Sequence, residues 1–123
     1  MMSLKECYDS FGGGYEEVKE RIPNDALIQR LALKFLADPS FERLCKALEA
    51  DDYAEGFRAA HTLKGVSQNL GFQRLGEASS RLTELLRGSE EKQINPAECD
   101  TLWQQVTKEY EAVVEALRSL AEA

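Results

Sequence analysis

Apolar residues recur every three or four positions along most of the chain, with polar residues between them. This spacing is typical of helices that bury one face. The last segment shows it most clearly, with apolar positions at Leu102, Val106, Tyr110, Val113, Leu117 and Leu120. No segment shows the strict alternation of apolar and polar residues, bounded by turn residues, that is typical of a β-strand. The pattern therefore predicts an all-α protein.

Capping residues and helix breakers divide this pattern into short and long segments. Ser3 and Glu6 have the spacing of a capping box, at the start of a helix that stops near the glycines at 12–14. A second short helix begins at Tyr15 and ends before Pro23, which predicts short N-terminal helices over about residues 3–22. The glycine run is not followed by the Gly-Lys-Ser/Thr of a phosphate-binding loop, and we interpret it as a turn.

The longer segments lie between about residues 24 and 121. Their predicted N-caps are Asn24 or Asp25, Asp38 with Pro39 after it, Asp51 or Asp52, and Asn95 with Pro96 after it. Gly71 is placed to end one helix in the left-handed conformation, and Gly88 to end the next. Four longer amphipathic helices with short connections imply an antiparallel four-helix bundle, preceded by the short N-terminal helices. No linker is long enough to divide the chain, so we expect residues 1–123 to form a single domain.

The helix predicted over residues 24–37 is apolar on more than one side. Leu33 and Leu36 point away from the cluster that its other apolar residues form. Either neighbouring short helices cover these two side chains, or the side chains form part of a surface on which a partner docks.

Charge and composition narrow the range of functions. The chain has 15 Lys and Arg against 22 Asp and Glu, a formal net charge of −7. Phosphate backbones require a basic face and anionic membranes attract basic segments, so we expect neither nucleic acid nor a membrane as partner. No stretch approaches about 18 consecutive apolar residues, and the N-terminus has no charged-then-apolar leader. We therefore expect a cytoplasmic protein. We further expect a monomer, and a freestanding protein more than an excised domain, because the sequence ends within a few residues of its last predicted helix.

The three cysteines lie too far apart in sequence for the paired spacing of a zinc site, and their odd number does not suggest a disulfide framework. We interpret Cys7, Cys45 and Cys99 as free thiols in a reducing compartment. A catalytic cysteine would need a base beside it, and the chain has a single histidine.

That histidine, His61, has informative neighbours. On a helical wheel it lies about 100° from Ala60, which places it on the rim of the predicted core face rather than at its centre. Lys64 follows at i+3 and Gly65 at i+4. A glycine inside a helix costs about 1 kcal/mol relative to alanine, so a compensating advantage is expected, such as room for a bulky group beside the imidazole. An accessible imidazole next to a cation suits a dianionic phosphoryl group.

Each residue also has a simpler interpretation. His61 and Lys64 could be ordinary surface residues, and Gly65 could allow two helices to pack closely. From the residues alone the two interpretations remain open.

One stretch resembles the signature of histidine-containing phosphotransfer (HPt) domains. The residues that carry the resemblance are Ala60-His61-Thr62-Leu63-Lys64-Gly65, then Ser67, Leu70-Gly71 and Leu75. The resemblance implies a four-helix bundle whose exposed histidine exchanges a phosphoryl group with the aspartate of response-regulator receiver domains. By this resemblance His61 is the phosphorylated residue, Lys64 steadies the phosphoryl group, and Gly65 leaves room for it.

The sequence departs from the family pattern at one position. Many members carry Gln or Glu 22 residues after the histidine, where it orients the ring, and here that position is Thr83. The candidates for ring orientation are therefore Thr83, Gln68 and Glu84.

The resemblance also implies the partners, a receiver domain, a hybrid histidine kinase, or both. Arg58, Leu33 and Leu36 are candidates for docking that partner. We expect no metal or cofactor on this chain, no autonomous kinase activity, and Mg²⁺ on the receiver, because the sequence shows neither clustered carboxylates nor a nucleotide loop. Alternatives are a degenerate HPt-like domain that binds partners without carrying phosphate, an enzyme that uses His61 as general base, and a purely structural bundle.

Overall fold

The computed structural model describes residues 2–122. These residues form seven α-helices and one 3₁₀ turn, with no strand among them, which confirms the all-α prediction. The helices are α1 (Leu4–Ser10), α2 (Tyr15–Arg21), α3 (Asp25–Lys34), α4 (Ser40–Glu49), α5 (Tyr53–Asn69), α6 (Gln73–Leu86) and α7 (Pro96–Ala121). The 3₁₀ turn (Phe35–Ala37) follows α3. Within this part of the chain, no helix is both long and apolar enough to cross a membrane.

Side-chain caps start most of these helices where the sequence predicts. Ser3 and Glu6 form the expected capping box of α1. The side chains of Asn24, Asp52 and Asn95 accept backbone N–H groups at the starts of α3, α5 and α7. These bonds satisfy N–H groups that have no partner within the first turn of a helix.

Two boundaries differ from the prediction. The helix expected over residues 24–37 is α-helical only to Lys34, and its last three residues tighten into the 3₁₀ turn. The helix expected to begin at Pro39 begins at Ser40, whose N–H donates to the Asp38 carboxylate at 2.8 Å.

Helices α4 to α7 form the bundle. Helix α5 packs between α4 and α6, and α6 packs in turn against α7. Phe41 of α4 stacks on Trp103 and Tyr110 of α7, with ring centroids 5.0 and 3.7 Å apart, which joins the first and last helices of the bundle. This four-helix bundle is the fold predicted from the sequence, but it begins at Ser40 rather than near residue 24, because α3 lies outside it against α2 and α7.

The N-terminal helices hold the turn between α5 and α6. The Tyr8 hydroxyl donates to the carbonyl of Leu70 at 2.6 Å, and the Arg21 guanidinium to that of Asn69 at 3.1 Å. The Gly14 N–H donates to the carbonyl of Gly71 at 2.8 Å. Gly71 has φ +75°, the left-handed conformation expected at this helix end.

Candidate functional site

His61 is exposed, as the resemblance implied. The buried residues of α5 are Gly56, Ala59, Ala60, Leu63 and Ser67. At about 100° per residue, the centre of this set lies about 45° beyond Ala60 on the side away from the imidazole. His61 therefore lies about 145° from the centre of the buried set, farther from the core than a wheel built on the large apolar residues places it, and its side chain is exposed. The small residues Gly56 and Ala59 are buried, and they shift the centre of the core face away from His61. A helical wheel that counts only the large apolar residues misses this shift.

The side of α5 next to the imidazole is open. A Cβ placed on Gly65 would come within 4 Å of no heavy atom of the described residues outside its own helical neighbourhood. Gly65 therefore serves no close helix packing, which was the alternative explanation for it. Lys64, one turn from His61, is half-buried, and its charge acts on Glu84 of α6.

The imidazole contacts an aromatic ring of its own helix. Phe57 lies four residues before His61, and the two ring centroids are 5.9 Å apart with an interplanar angle of 73°, an edge-to-face arrangement. The Arg87 guanidinium lies over the Phe57 ring, 5.1 Å from its centroid. Phe57 is half-buried and packs against the core. Its contact with His61 was not predicted, although the i, i+4 spacing of an aromatic residue and a histidine is a signal for it.

Glu84 brings a carboxylate to the same region from α6. The Arg87 guanidinium donates two hydrogen bonds of 3.0 Å to it, one to each oxygen. These bonds lower the pKa of the Glu84 carboxyl, and the nearby charges of Lys64 and His61 lower it further. The carboxylate is thus close to the imidazole but bound to Arg87.

The three candidates for ring orientation differ in placement. Thr83 is buried and its hydroxyl donates to the carbonyl of Ser79 at 2.7 Å, so the proposed bond from Thr83 to the imidazole is absent. Gln68 lies two turns along α5, beside Gly76 of α6. Glu84 is bound to Arg87, and no hydrogen bond joins the imidazole to any side chain or backbone group within residues 2–122.

The docking candidates fall in two places. Arg58 is exposed on the outer side of α5 and pairs with Glu55 at 3.0 Å, and Glu55 also binds Arg43 of α4. Leu33 and Leu36 are half-buried and pack against the core. Their elements, α3 and the 3₁₀ turn, lie against α7 rather than α5, so the structure does not bring these leucines together with His61.

The cysteines are free thiols, and none is placed as an activated nucleophile. Burial raises the pKa of the Cys7 thiol to about 11 and also raises that of Cys99. In the part of the chain that the structure describes, no group of three or more His, Cys, Asp or Glu side chains could hold a metal ion.

The arrangement therefore offers one exposed imidazole, an open approach beside it and a lysine on its flank. An imidazole in this setting can act as a nucleophile toward an anionic group that a partner presents.

Comparison with known proteins gives one match. A family model described as the Hpt domain matches residues 35–120, which include all of the site residues on α5 and α6. No curated protein and no solved structure matches the chain significantly.

Proposed function

The chain belongs to the Hpt domain family, and on this premise we propose that it is a phosphocarrier of a two-component phosphorelay, with His61 as the residue that carries the phosphoryl group. Hpt domains are phosphocarriers rather than kinases, and they interact with receiver domains and histidine kinases. The match confirms the family inferred from the signature around His61, and phosphotransfer signalling follows from the family.

One observation carries the assignment to His61. It is the chain's single histidine, it is exposed, and the space beside it at Gly65 is open. A receiver domain has to bring an aspartyl phosphate within bonding distance of the imidazole, and such an approach requires both features.

The proposed step is an in-line phosphoryl transfer. The lone pair of Nε2 forms the N–P bond while the P–O bond to the receiver's aspartate breaks, and the carboxylate leaves with the bonding electrons. Nδ1 keeps its proton, so the step requires no proton transfer. The reverse step uses the same groups and returns the phosphoryl group to an aspartate.

Lys64 has the role of a local counter-charge. The chain as a whole carries a formal charge of −7, which disfavours a dianionic group on its surface. A lysine one turn from the imidazole offsets that repulsion where the phosphoryl group sits. The Mg²⁺ that assists the step would be held by the receiver.

The test uses receiver domains loaded with radiolabelled phosphate from acetyl phosphate. After mixing with this protein, we expect label on the chain that acid removes and alkali does not, as for phosphohistidine. The variant His61→Gln should take up no label. A control variant, Glu111→Gln, changes an exposed side chain on α7 and should still be labelled.

Two results would contradict the proposal. Label that persists on His61→Gln would exclude His61 as the carrier. Receivers that bind the wild-type chain measurably without transferring label would favour the alternative, an HPt-like domain that binds partners without carrying phosphate.

A further inference from the structure

The imidazole of His61 has no hydrogen-bonding partner among residues 2–122, yet phosphoryl transfer requires a defined ring orientation. We infer that Phe57, held in place by Arg87, is the positioning residue for the His61 ring. This inference rests on the proposed function, because it assigns a role in the same transfer step.

The contact between the two rings restricts the imidazole. Phe57 and His61 lie one turn apart on α5, where side chains at i and i+4 meet. Their centroids are 5.9 Å apart at 73°, within the range of favourable edge-to-face pairs. Rotation of the imidazole about its χ2 angle would break this arrangement, so the contact favours one ring orientation although the histidine is exposed.

Phe57 is itself held from α6. The Arg87 guanidinium lies 5.1 Å from the centre of the Phe57 ring, within cation–π distance. Both oxygens of Glu84 bind that guanidinium at 3.0 Å, which fixes the plane of the cation. A continuous series of contacts thus runs from Glu84 through Arg87 and Phe57 to the imidazole.

This form of positioning leaves both ring nitrogens free. A hydrogen bond from a Gln or Glu side chain would occupy one nitrogen and select one tautomer. An aromatic contact fixes the plane of the ring and leaves Nδ1 and Nε2 to solvent and partner. The departure at position 83, where Thr83 is turned into the core, is therefore compensated by packing rather than by another hydrogen bond.

The first measurement is made on the unphosphorylated protein. With one histidine in the chain, the two carbon-bound imidazole protons give unambiguous NMR signals. In Phe57→Leu we expect both signals to move toward those of an unstructured peptide and the cross-peaks to residue 57 ring protons to disappear. Phe57→Tyr should keep the wild-type pattern. The control Phe41→Leu removes a half-buried aromatic ring that stacks on α7, and it should leave the imidazole signals unchanged.

The second measurement is the rate of phosphoryl transfer from a loaded receiver domain at varied receiver concentration. Phe57→Leu should lower the maximal rate by about three- to tenfold, the factor that an edge-to-face aromatic contact corresponds to. The receiver concentration at half-maximal rate should stay unchanged, and Phe57→Tyr should restore the rate. Arg87→Gln should lower the rate less, and should add little when combined with Phe57→Leu.

Specific results would overturn the inference. A maximal rate that stays at the wild-type value in Phe57→Leu, or a change only in the half-saturating concentration, would assign Phe57 to docking or to stability alone. Imidazole signals that do not move in Phe57→Leu would show that the ring contact does not exist in solution. If the wild-type chain accepts no phosphate from any receiver that it binds, the proposed function fails, and the NMR signals of the same variants still decide whether Phe57 orients the ring.

Discussion

Gly65 is the residue at which helix stability and access to His61 conflict most directly. It lies inside α5, where glycine is unfavourable, and a Cβ there would meet no described heavy atom within 4 Å outside its own helical neighbourhood. Nothing in the packing of residues 2–122 therefore requires a glycine at this position. Its advantage must lie in the space beside His61, which a side chain would fill.

We predict that Gly65→Ala makes the protein more stable and less active. The free energy of unfolding should rise by about 1 kcal/mol, because alanine is the better helix former. The rate of phosphoryl transfer to His61 should fall about tenfold, because the added methyl group displaces the approaching phosphoryl group. Urea unfolding and the transfer assay measure the two effects.

A suitable control is Thr101→Ala, which improves helix propensity on α7, where the threonine is exposed and its hydroxyl bonds to the Ala97 carbonyl. It should leave the transfer rate unchanged. A Gly65→Ala variant with full transfer rate would show that the space at Gly65 has no role in the reaction.

At this scale the sequence predicts most of the site but not its internal contacts. The fixed i+3 and i+4 spacing on a helix places Lys64 and Gly65 next to His61 without any tertiary information. The contact of Arg87 with Phe57 depends on how α6 packs against α5, so the sequence could not predict it. Thr83 illustrates the same limit, because the bond from its hydroxyl to the Ser79 carbonyl is local to α6, whereas the burial that keeps it from the imidazole depends on how α6 packs.

Among the elements, the hairpin of α5 and α6 carries the site. Its turn depends on Gly71, whose φ of +75° is unfavourable for residues with a side chain. A Cβ there would also overlap the Val18 side chain of α2. The turn thus combines a backbone requirement with a packing requirement.

We predict that Gly71→Ala destabilises the whole protein, by about 1–3 kcal/mol from the backbone strain and more from the overlap with Val18. The melting temperature in circular dichroism measures this effect. Gly88→Ala is an informative comparison, since Gly88 has φ +70° but its added Cβ would meet no described heavy atom within 4 Å. Equal losses in the two variants would mean that contact with Val18 contributes nothing.

Element boundaries follow from local chemistry, whereas contacts between elements do not. Asn24, Asp52 and Asn95 cap their helices as predicted, because a cap involves a side chain and a backbone group two or three residues away. The bond from Tyr8 to Leu70 joins residues 62 positions apart, and no pattern in the sequence points to it. The docking of α1 and α2 on the turn was therefore not predicted.

For the molecule as a whole, stability should depend on pH through paired carboxylates. The carboxyl groups whose pKa is lowered are Glu6, Asp25, Glu55 and Glu84. The largest cause is a hydrogen bond in each case, from the Ser3 backbone, Lys19, Arg43 and Arg87 respectively. Since each pKa is lower in the folded than in the unfolded chain, the stabilisation is complete above the unfolded pKa and is lost as pH falls.

We therefore predict a urea midpoint that is constant near neutral pH and falls below about pH 5, as carboxyl groups begin to bind protons. Glu55→Gln, which removes the partner of both Arg43 and Arg58, should make this fall shallower. Glu6, Asp25 and Glu84 are solvent-exposed and Glu55 is half-buried, so each contribution is small. A midpoint that rises on acidification would contradict the assignment of these pairs.

The bonds from the N-terminal helices to the α5–α6 turn determine which stretch of the chain could be transferred to another protein as an intact unit. The family model matches residues 35–120, whereas Tyr8, Gly14 and Arg21, which bind the carbonyls at the end of α5, precede that stretch. Transplanting only the matched residues into another protein would keep the phosphotransfer signature but leave those carbonyls and the buried ring of Phe72 without their cover. The unit that evolution or an engineer could exchange intact is thus longer than the stretch by which the family is recognised.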